Sequence, residues 1–229
     1  MDEGLKAQIK RTWPRQIVFT LFVMALLFAP AGTLAYWQAW VFLAVFIGSS
    51  VGLGVYFAKH DPALLERRMK AGPAAEQQPA QKLIIALLMT GLMLVLVVAG
   101  LDYRWRGATV PAWLVALADI GIVASFAIFF IVMKQNSYAA STVRVEPGQP
   151  VISTGLYGVV RHPMYSGALL LAVCMPLALA SYRALLAFVI VVPVLAWRLL
   201  DEERYLARNL PGYADYCART RYRLMPYVW

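Results

Sequence analysis

Long apolar runs separated by short polar segments dominate the chain. Residues 16–58 form 43 consecutive positions without Asp, Glu, Lys, Arg or His. Such a run is long enough for two bilayer crossings at about 20 residues each. Further runs cover 83–101, 107–133 with Asp119 as its one charge, and 164–182. Backbone groups in hydrocarbon must be hydrogen-bonded within their own segment or in a closed barrel, and runs this long without alternation predict helices.

The pattern predicts an all-α integral membrane protein with about six transmembrane helices. The predicted spans are 16–35, 37–58, 83–101, 112–133, 164–181 and 184–200. We interpret residues 1–229 as a single membrane domain, with an N-terminal four-helix part over 1–133 and a second part over 134–229. Gly48 and Gly52 form a GxxxG pattern in the second span, which predicts close helix packing, with dimerisation as the alternative.

Composition agrees with a membrane protein and excludes other classes. Hydrophobic residues make up 61% of the chain and charged residues 14%, which excludes intrinsic disorder. Two cysteines, Cys174 and Cys217, are too few for a disulfide scaffold. The first span is too long for the core of a signal peptide, so we expect it to remain as an anchor.

The distribution of basic residues predicts the orientation. With six spans, 18 of the 21 Lys and Arg residues fall on one side, and Arg104, Arg106 and Arg183 fall on the other. By the positive-inside rule both termini are cytoplasmic, in the inner membrane if the source is bacterial. This bias accounts for the net charge of +9 without nucleic-acid binding, and the basic face would attract anionic membrane lipids.

Signatures of soluble enzymes and metal sites are missing from the sequence. It contains neither a dinucleotide-binding GxGxxG after a strand nor a P-loop. His60 and His162 are about 100 residues apart with no paired cysteine, so no metal is expected.

The chemistry-bearing residues are concentrated in the last third. The segment 155–167 reads GLYGVVRHPMYSG, and Arg198, Glu202 and Glu203 follow after a hydrophobic hairpin. The rings of Tyr157 and Tyr165 can pack on a base or face a cation. Taken singly, residues 161–163 would be a turn at the membrane interface and the two tyrosines would be aromatic residues at the headgroups. Glu202 and Glu203 would be a solvated helix end. Their order along one side of the membrane favours a binding site.

This order resembles the isoprenylcysteine carboxyl methyltransferase family and the related membrane phospholipid methyltransferases, over residues 134–229. The resemblance implies a methyltransferase core with a cytoplasmic cofactor pocket formed by the C-terminal third. It implies S-adenosylmethionine as the cofactor and S-adenosylhomocysteine as the product. Glu202 would pair with the ammonium group of the cofactor, and Gln149 stands where the better-known eukaryotic members have His. The implied cofactor-binding residues are Gln149, Pro150, Val151, Ile152, Tyr157, His162, Pro163, Met164, Tyr165 and Glu202.

Arg198 is the predicted catalytic and substrate-binding residue. It precedes Glu202 by four positions, so both lie on one helix face. In the resembled family this arginine contacts the acceptor, and a guanidinium can hold a carboxylate with two prongs. A carboxylate is ionised at neutral pH and needs no general base. A snorkelling arginine at the headgroups is the simpler interpretation.

The sequence therefore predicts methyl transfer to a lipophilic acceptor that enters from the bilayer, most simply a carboxylate of the isoprenylcysteine type. A phospholipid amine is the alternative, with Arg198 on the phosphate and Glu203 or Asp201 as base. A small thiol or another apolar acid is a third acceptor, and a lipid-binding scaffold is the non-enzyme alternative. Asp119 would line the acceptor cavity or pair with a polar group of a neighbouring helix. The sequence favours no oligomeric state.

Overall fold

The computed structural model describes the backbone of residues 3–229 and the side chains of residues 14 and 16–229. Within that range the chain is helical and contains no strand. The helices are α1 (Glu3–Ala31), α2 (Trp37–His60), α3 (Pro62–Met69), α4 (Pro79–Arg106), α5 (Ala112–Gln135), α6 (Pro163–Ala178), α7 (Phe188–Asn209) and α8 (Tyr213–Arg219). Short 3-10 turns lie at Pro73–Ala75, Gly155–Gly158 and Arg183–Ala187.

Four described helices are long and apolar enough to cross a membrane. They are Trp37–His60, Pro79–Arg106, Ala112–Gln135 and the continuous segment Arg183–Asn209. The other two predicted spans fall on the shorter apolar helices Gln16–Ala31 and Pro163–Ala178. The predicted all-helical fold with helices of membrane-spanning length is confirmed for the described residues, and the count of six spans stays a prediction.

The chain divides into two compact units. The first comprises Met1–Pro62, Gly91–Val123 and Leu171–Phe188, and the second comprises Ala63–Thr90, Ala124–Leu170 and Val189–Trp229.

Aromatic and polar contacts organise the first unit. Tyr36 is fully buried, stacks on Tyr103 with ring centroids 4.0 Å apart, and donates its hydroxyl to the carbonyl of Leu179. The buried carboxylate of Asp102 accepts a 2.7 Å hydrogen bond from Ser181. Because a buried charge is costly without partners, these bonds fix the connection after α6 to the end of α4.

Close helix packing occurs at Gly100 and not at the GxxxG pattern. A Cβ added at Gly100 would lie 2.5 Å from the carbonyl oxygen of Leu27, so α4 and α1 approach at this glycine. A Cβ added at Gly48 or Gly52 would meet nothing within 4 Å. The prediction of close packing at Gly48 and Gly52 is therefore wrong for the described part of this chain.

Two glycines and an apolar cluster organise the second unit. Gly155 has φ +60°, and a Cβ there would lie 2.1 Å from Nε2 of Gln135. Gly167 lets α6 approach α5, because an added Cβ would lie 2.8 Å from the Phe129 ring. Leu210, Tyr213 and Tyr216 form a buried cluster against which Val145, Val151, Leu206 and Cys217 pack.

Candidate functional site

A turn paired with the C-terminal segment precedes α6. The amides of Arg161 and His162 donate to the carbonyls of Tyr222 and Arg223, each at 2.9 Å. Pro163 is the first residue of α6, where its missing N–H would have had no helical partner. This pairing places the buried His162 ring against the Tyr165 ring, with centroids 5.6 Å apart.

Glu203 is surrounded by three cationic or potentially cationic side chains. Its Oε1 lies 3.0 Å from Nη1 of Arg161 and 3.4 Å from Nε2 of His162, and its Oε2 accepts from Nε of Arg223 at 2.9 Å. Arg161 also donates from Nε to the carbonyl of Thr220 at 2.7 Å. Glu203 therefore connects α7 to the turn that precedes α6 and to the C-terminal segment.

The hydroxyl of Tyr165 joins Arg198 and Glu202. It donates to the carboxylate of Glu202 and accepts from Nε of Arg198 at 3.1 Å. The sequence predicted all three residues for the site, and the fold brings them together although 33 and 37 positions separate Tyr165 from its partners.

Arg198 is buried in a polar network that the sequence did not predict. Its side chain donates from Nη1 to Glu76 at 2.8 Å and to the side-chain oxygen of Gln81, and from Nη2 to the carbonyl of Ser141 at 3.1 Å. Arg198 is 5% exposed and Glu76 is 3% exposed. The snorkelling interpretation is therefore wrong, because the guanidinium is enclosed by protein groups.

This network limits how Arg198 can hold another carboxylate. A guanidinium has five N–H donors, and four of those on Arg198 are directed at Tyr165, Glu76, Gln81 and Ser141. One Nη2 donor is left over, so a two-pronged grip requires one of these partners to leave.

The segment 149–152 reaches the C-terminal cluster. Gln149 closes the turn that it forms with Glu146, whose amide donates to Oε1 of Gln149 at 3.0 Å. Val151 packs against the cluster of Leu210, Tyr213 and Tyr216, whereas Pro150 is exposed and Ile152 is half-buried.

Tyr157 is tied to the same region. Its hydroxyl accepts from Asn136 at 3.1 Å, and its carbonyl accepts from the Tyr216 hydroxyl at 2.8 Å. Burial is the largest cause of the raised pKa of Tyr157. Met164 is half-buried at the start of α6.

The helix α3 packs on the segment that follows α5. Leu64 is fully buried, Nη2 of Arg67 lies 3.0 Å from Glu146, and Nη1 of Arg68 donates to the carbonyl of Ala139 at 3.0 Å. The hydroxyl of Ser141 donates back to the carbonyl of Arg68 at 2.9 Å. This connection contributes both Arg68 and Glu76 to the polar contacts of the region.

Asp119 belongs to the first unit, where it is buried and its Oδ1 has no hydrogen-bond partner among the described groups. No group of three His, Cys, Asp or Glu residues in the described part of the chain could hold a metal ion.

Comparison with known proteins identifies the segment that carries this geometry. The model of the isoprenylcysteine carboxyl methyltransferase (ICMT) family matches residues 115–208. The match includes most of α5, the motif turn, α6 and nearly all of α7, and it contains every predicted site residue. This match together with the four apolar helices supports a membrane methyltransferase.

One curated relative is the Delta(14)-sterol reductase TM7SF2 of Mus musculus, which is 31% identical over 91 residues. The alignment covers 38% of this chain and 22% of the reductase. The chain thus spans about a fifth of the length of that relative. Glu76, Gln81 and Arg68 lie outside the segment that the family model matches.

Proposed function

We propose that this protein is a membrane methyltransferase that uses S-adenosylmethionine and methylates the carboxylate of a lipophilic acceptor of the isoprenylcysteine type. The observation that carries the proposal is the double role of the Tyr165 hydroxyl, which contacts Glu202 on one side and Arg198 on the other. One hydroxyl thereby connects the residue proposed for the cofactor with the residue proposed for the acceptor.

The donor set fits the cofactor. Glu202 is half-buried and no cation is bonded to it among the described residues, so its carboxylate is available to an ammonium group. The stacked rings of His162 and Tyr165 offer flat surfaces beside this carboxylate. Gln149 to Ile152, Tyr157 and Pro163 to Met164 would complete the contacts. S-adenosylmethionine supplies, when bound, a methyl group made electrophilic by a sulfonium.

The polar groups of the protein favour a carboxylate acceptor over a phospholipid amine. An amine must lose a proton, and Glu203 and Asp201 were the bases proposed from sequence. Glu203 is bonded to Arg161 and Arg223 and lies near His162, and Asp201 accepts from Gln81. Both oxygens of Glu203 are occupied by these donors, so Glu203 is poorly placed to take the proton of an amine. A carboxylate acceptor needs no base, because it is ionised at neutral pH.

Arg198 then acts by charge and by placement. Its leftover Nη2 donor and its positive charge orient the anionic group of the acceptor, while its other donors hold the guanidinium still. Holding reactants in line contributes much of the rate in such reactions. The apolar tail of the acceptor reaches the site from the bilayer.

The topology that we propose has six spans, with the two shorter helices Gln16–Ala31 and Pro163–Ala178 crossing as well as the four long ones. The excess of Lys and Arg on one side supports cytoplasmic termini and a cytoplasmic cofactor site. The cofactor is water-soluble, which also favours access from the cytoplasm.

Calorimetric titration of the detergent-solubilised full chain with S-adenosylhomocysteine tests the cofactor assignment. We expect saturable binding, weakened in Glu202→Gln by about 2 kcal/mol, the scale for losing a charged hydrogen-bond partner. Glu66→Gln is the matched control, because Glu66 is exposed and its partner Lys70 is 4.0 Å away. A lipid-binding scaffold would show no saturable binding. Unchanged affinity in Glu202→Gln would remove Glu202 from the site.

A reductase like the mouse relative would instead use a hydride donor. Reduced nicotinamide nucleotide is therefore the comparison ligand in the same titration. Binding of that nucleotide without binding of S-adenosylhomocysteine would contradict the methyltransferase assignment.

A further inference from the structure

Two opposite charges at the site have no ionic partner among the described residues. Arg67 and Arg144 bond to Glu146, Arg161 and Arg223 bond to Glu203, and Arg198 bonds to Glu76. Arg68, which stands among them, bonds through its guanidinium to the carbonyl of Ala139 and to no described carboxylate. Glu202 likewise bonds to the hydroxyl of Tyr165 and to no described cation. The structure leaves these two half-buried charges unpaired.

A chain of hydrogen bonds connects the two charges. Ser141 donates its hydroxyl to the carbonyl of Arg68 and accepts at its own carbonyl from Nη2 of Arg198, and Nε of Arg198 donates to the Tyr165 hydroxyl that bonds Glu202. Burial is the main cause of the raised pKa of Tyr157; the hydrogen bond from Asn136 lowers this pKa, the charge of Glu202 raises it, and the charge of Arg68 lowers it. The hydroxyl of Tyr157 therefore lies within the field of both Glu202 and Arg68. Arg68 and Glu202 are nevertheless not within 4.0 Å of each other in an ion pair, which leaves a separation between the two charges.

Arg68 is held in place by its own backbone and side chain. Nη1 donates to the carbonyl of Ala139, and the carbonyl of Arg68 accepts from the hydroxyl of Ser141. Burial lowers the pKa of its guanidinium, but an arginine stays charged at neutral pH. A fixed, half-buried guanidinium without a carboxylate is a site for an oxyanion, because it can form a charge-assisted hydrogen bond with one.

A guanidinium and a carboxylate that are close but not in contact, as Arg68 and Glu202 are, suit an α-amino acid zwitterion. The ammonium and the carboxylate of such a group are attached to the same carbon, so they require opposite charges in close proximity but not in contact. We propose that Arg68 binds the carboxylate of the cofactor's amino-acid moiety while Glu202 binds its ammonium group. This inference rests on the proposed function, and it adds to the cofactor site a residue that lies outside the segment matched by the ICMT family model.

Under this proposal α3 takes part in cofactor binding. The connection between α2 and α4 becomes part of the cofactor site through Arg68, and part of the acceptor side through Glu76. Arg67, the neighbouring residue, is directed at Glu146 and the carbonyl of Ser137 and does not take part.

The test compares S-adenosylmethionine with decarboxylated S-adenosylmethionine, which lacks only the carboxylate, in calorimetric titrations of the full chain. Wild type should bind the decarboxylated compound at least about tenfold more weakly, the scale of one charged hydrogen bond. Arg68→Met should bind S-adenosylmethionine more weakly than wild type does, by a similar factor. This variant should bind S-adenosylmethionine and the decarboxylated compound equally well. Lys70→Met is the control, because Lys70 is exposed at the end of the same segment and should bind both compounds as wild type does.

Each other outcome overturns the assignment. Equal binding of the two compounds to wild type would show that the carboxylate is not recognised. Unchanged affinity in Arg68→Met, or an equal loss of affinity for both compounds, would show that Arg68 does not bind the carboxylate of the cofactor. A raised KM for an anionic acceptor in Arg68→Met, with cofactor affinity intact, would assign Arg68 to the acceptor instead.

The failure of the proposed function has a different signature. If wild type bound neither compound, the cofactor itself would be wrong, and the role of Arg68 would fall with it. The comparison of the two compounds on wild type requires no variant, so the inference is tested even if Arg68→Met does not fold.

Discussion

Glu76 and Arg198 form a buried ion pair, with Nη1 of Arg198 2.8 Å from Oε1 of Glu76. The second oxygen of Glu76 accepts from the amide of Val143 at 3.2 Å, so both ends of the carboxylate are bonded. The pair links the connection between α2 and α4 to α7. Arg198 is therefore held by the protein before any acceptor is present.

The first prediction concerns the stability of this pair. Glu76→Leu leaves the buried guanidinium without its counter-charge, and such a loss costs about 3–5 kcal/mol. Arg198→Met should destabilise for the reciprocal reason. The double variant should lose much less than the sum, because it leaves neither charge unpaired. Thermal unfolding in detergent checks this, and additive losses would show that the two residues do not act as a pair.

The second prediction separates binding from chemistry at Arg198. Arg198→Lys keeps the charge, but a single ammonium cannot donate to Tyr165, Glu76, Gln81 and Ser141 together. We expect kcat/KM to fall at least about tenfold while the affinity for S-adenosylhomocysteine stays close to that of wild type. Arg204→Lys, exposed on the same helix, should be neutral. Full activity in Arg198→Lys would mean that charge alone suffices.

The third prediction is a loss of stability in alkali. Burial raises the pKa of Tyr216 above its ordinary value of about 10. The unfolded chain then releases this proton at a lower pH than the folded one, so the stabilisation is complete below about pH 10 and is lost as pH rises towards the folded pKa.

The Tyr216→Phe variant tests this. It should unfold more easily near neutral pH, by about 1 kcal/mol, because the hydrogen bond to the carbonyl of Tyr157 is lost. Its melting temperature should fall less steeply than that of wild type between pH 9 and 11. Parallel curves for the two proteins would assign the alkaline loss to other groups.

The fourth prediction concerns topology. Tags fused at residues 1 and 229 should be inaccessible to external protease in intact cells, and a tag inserted at Gly107 should be cleaved. Gly107 has φ +70°, and an added Cβ meets nothing within 4 Å, so an insertion is tolerated there. A tag at residue 229 cleaved from outside would rule out six crossings with cytoplasmic termini.

The sequence predicted the helices, because apolar runs are local signals, and the resemblance supplied Tyr165, Arg198 and Glu202, which the fold brings into contact. His162 and Pro163 mark the start of α6, and the spacing of Arg198 and Glu202 places both on one face of α7. It did not predict Glu76 or Gln81, since these lie in a segment without periodicity and join Arg198 across 122 and 117 positions. The sequence also offered Glu203 as a base, and only the fold shows that Arg161, His162 and Arg223 surround it.

The spacing of small residues was a weaker guide than the folded contacts. Gly48 and Gly52 have the pattern of a packing motif, yet within the described residues helices approach closely at Gly100 and Gly167 instead. Which helix faces another depends on the whole bundle, and a single helix sequence does not contain that information.

Transfer of a radiolabelled methyl group from S-adenosylmethionine to N-acetyl-S-farnesylcysteine, followed by alkaline hydrolysis, tests the central claim most directly. Methylation of a carboxylate gives an ester, so alkali should release the label as volatile methanol. Arg198→Lys should reduce this release, and Arg204→Lys should not. Label that is found instead in an alkali-stable phospholipid amine, or no incorporation by a protein that binds the cofactor, would contradict the account.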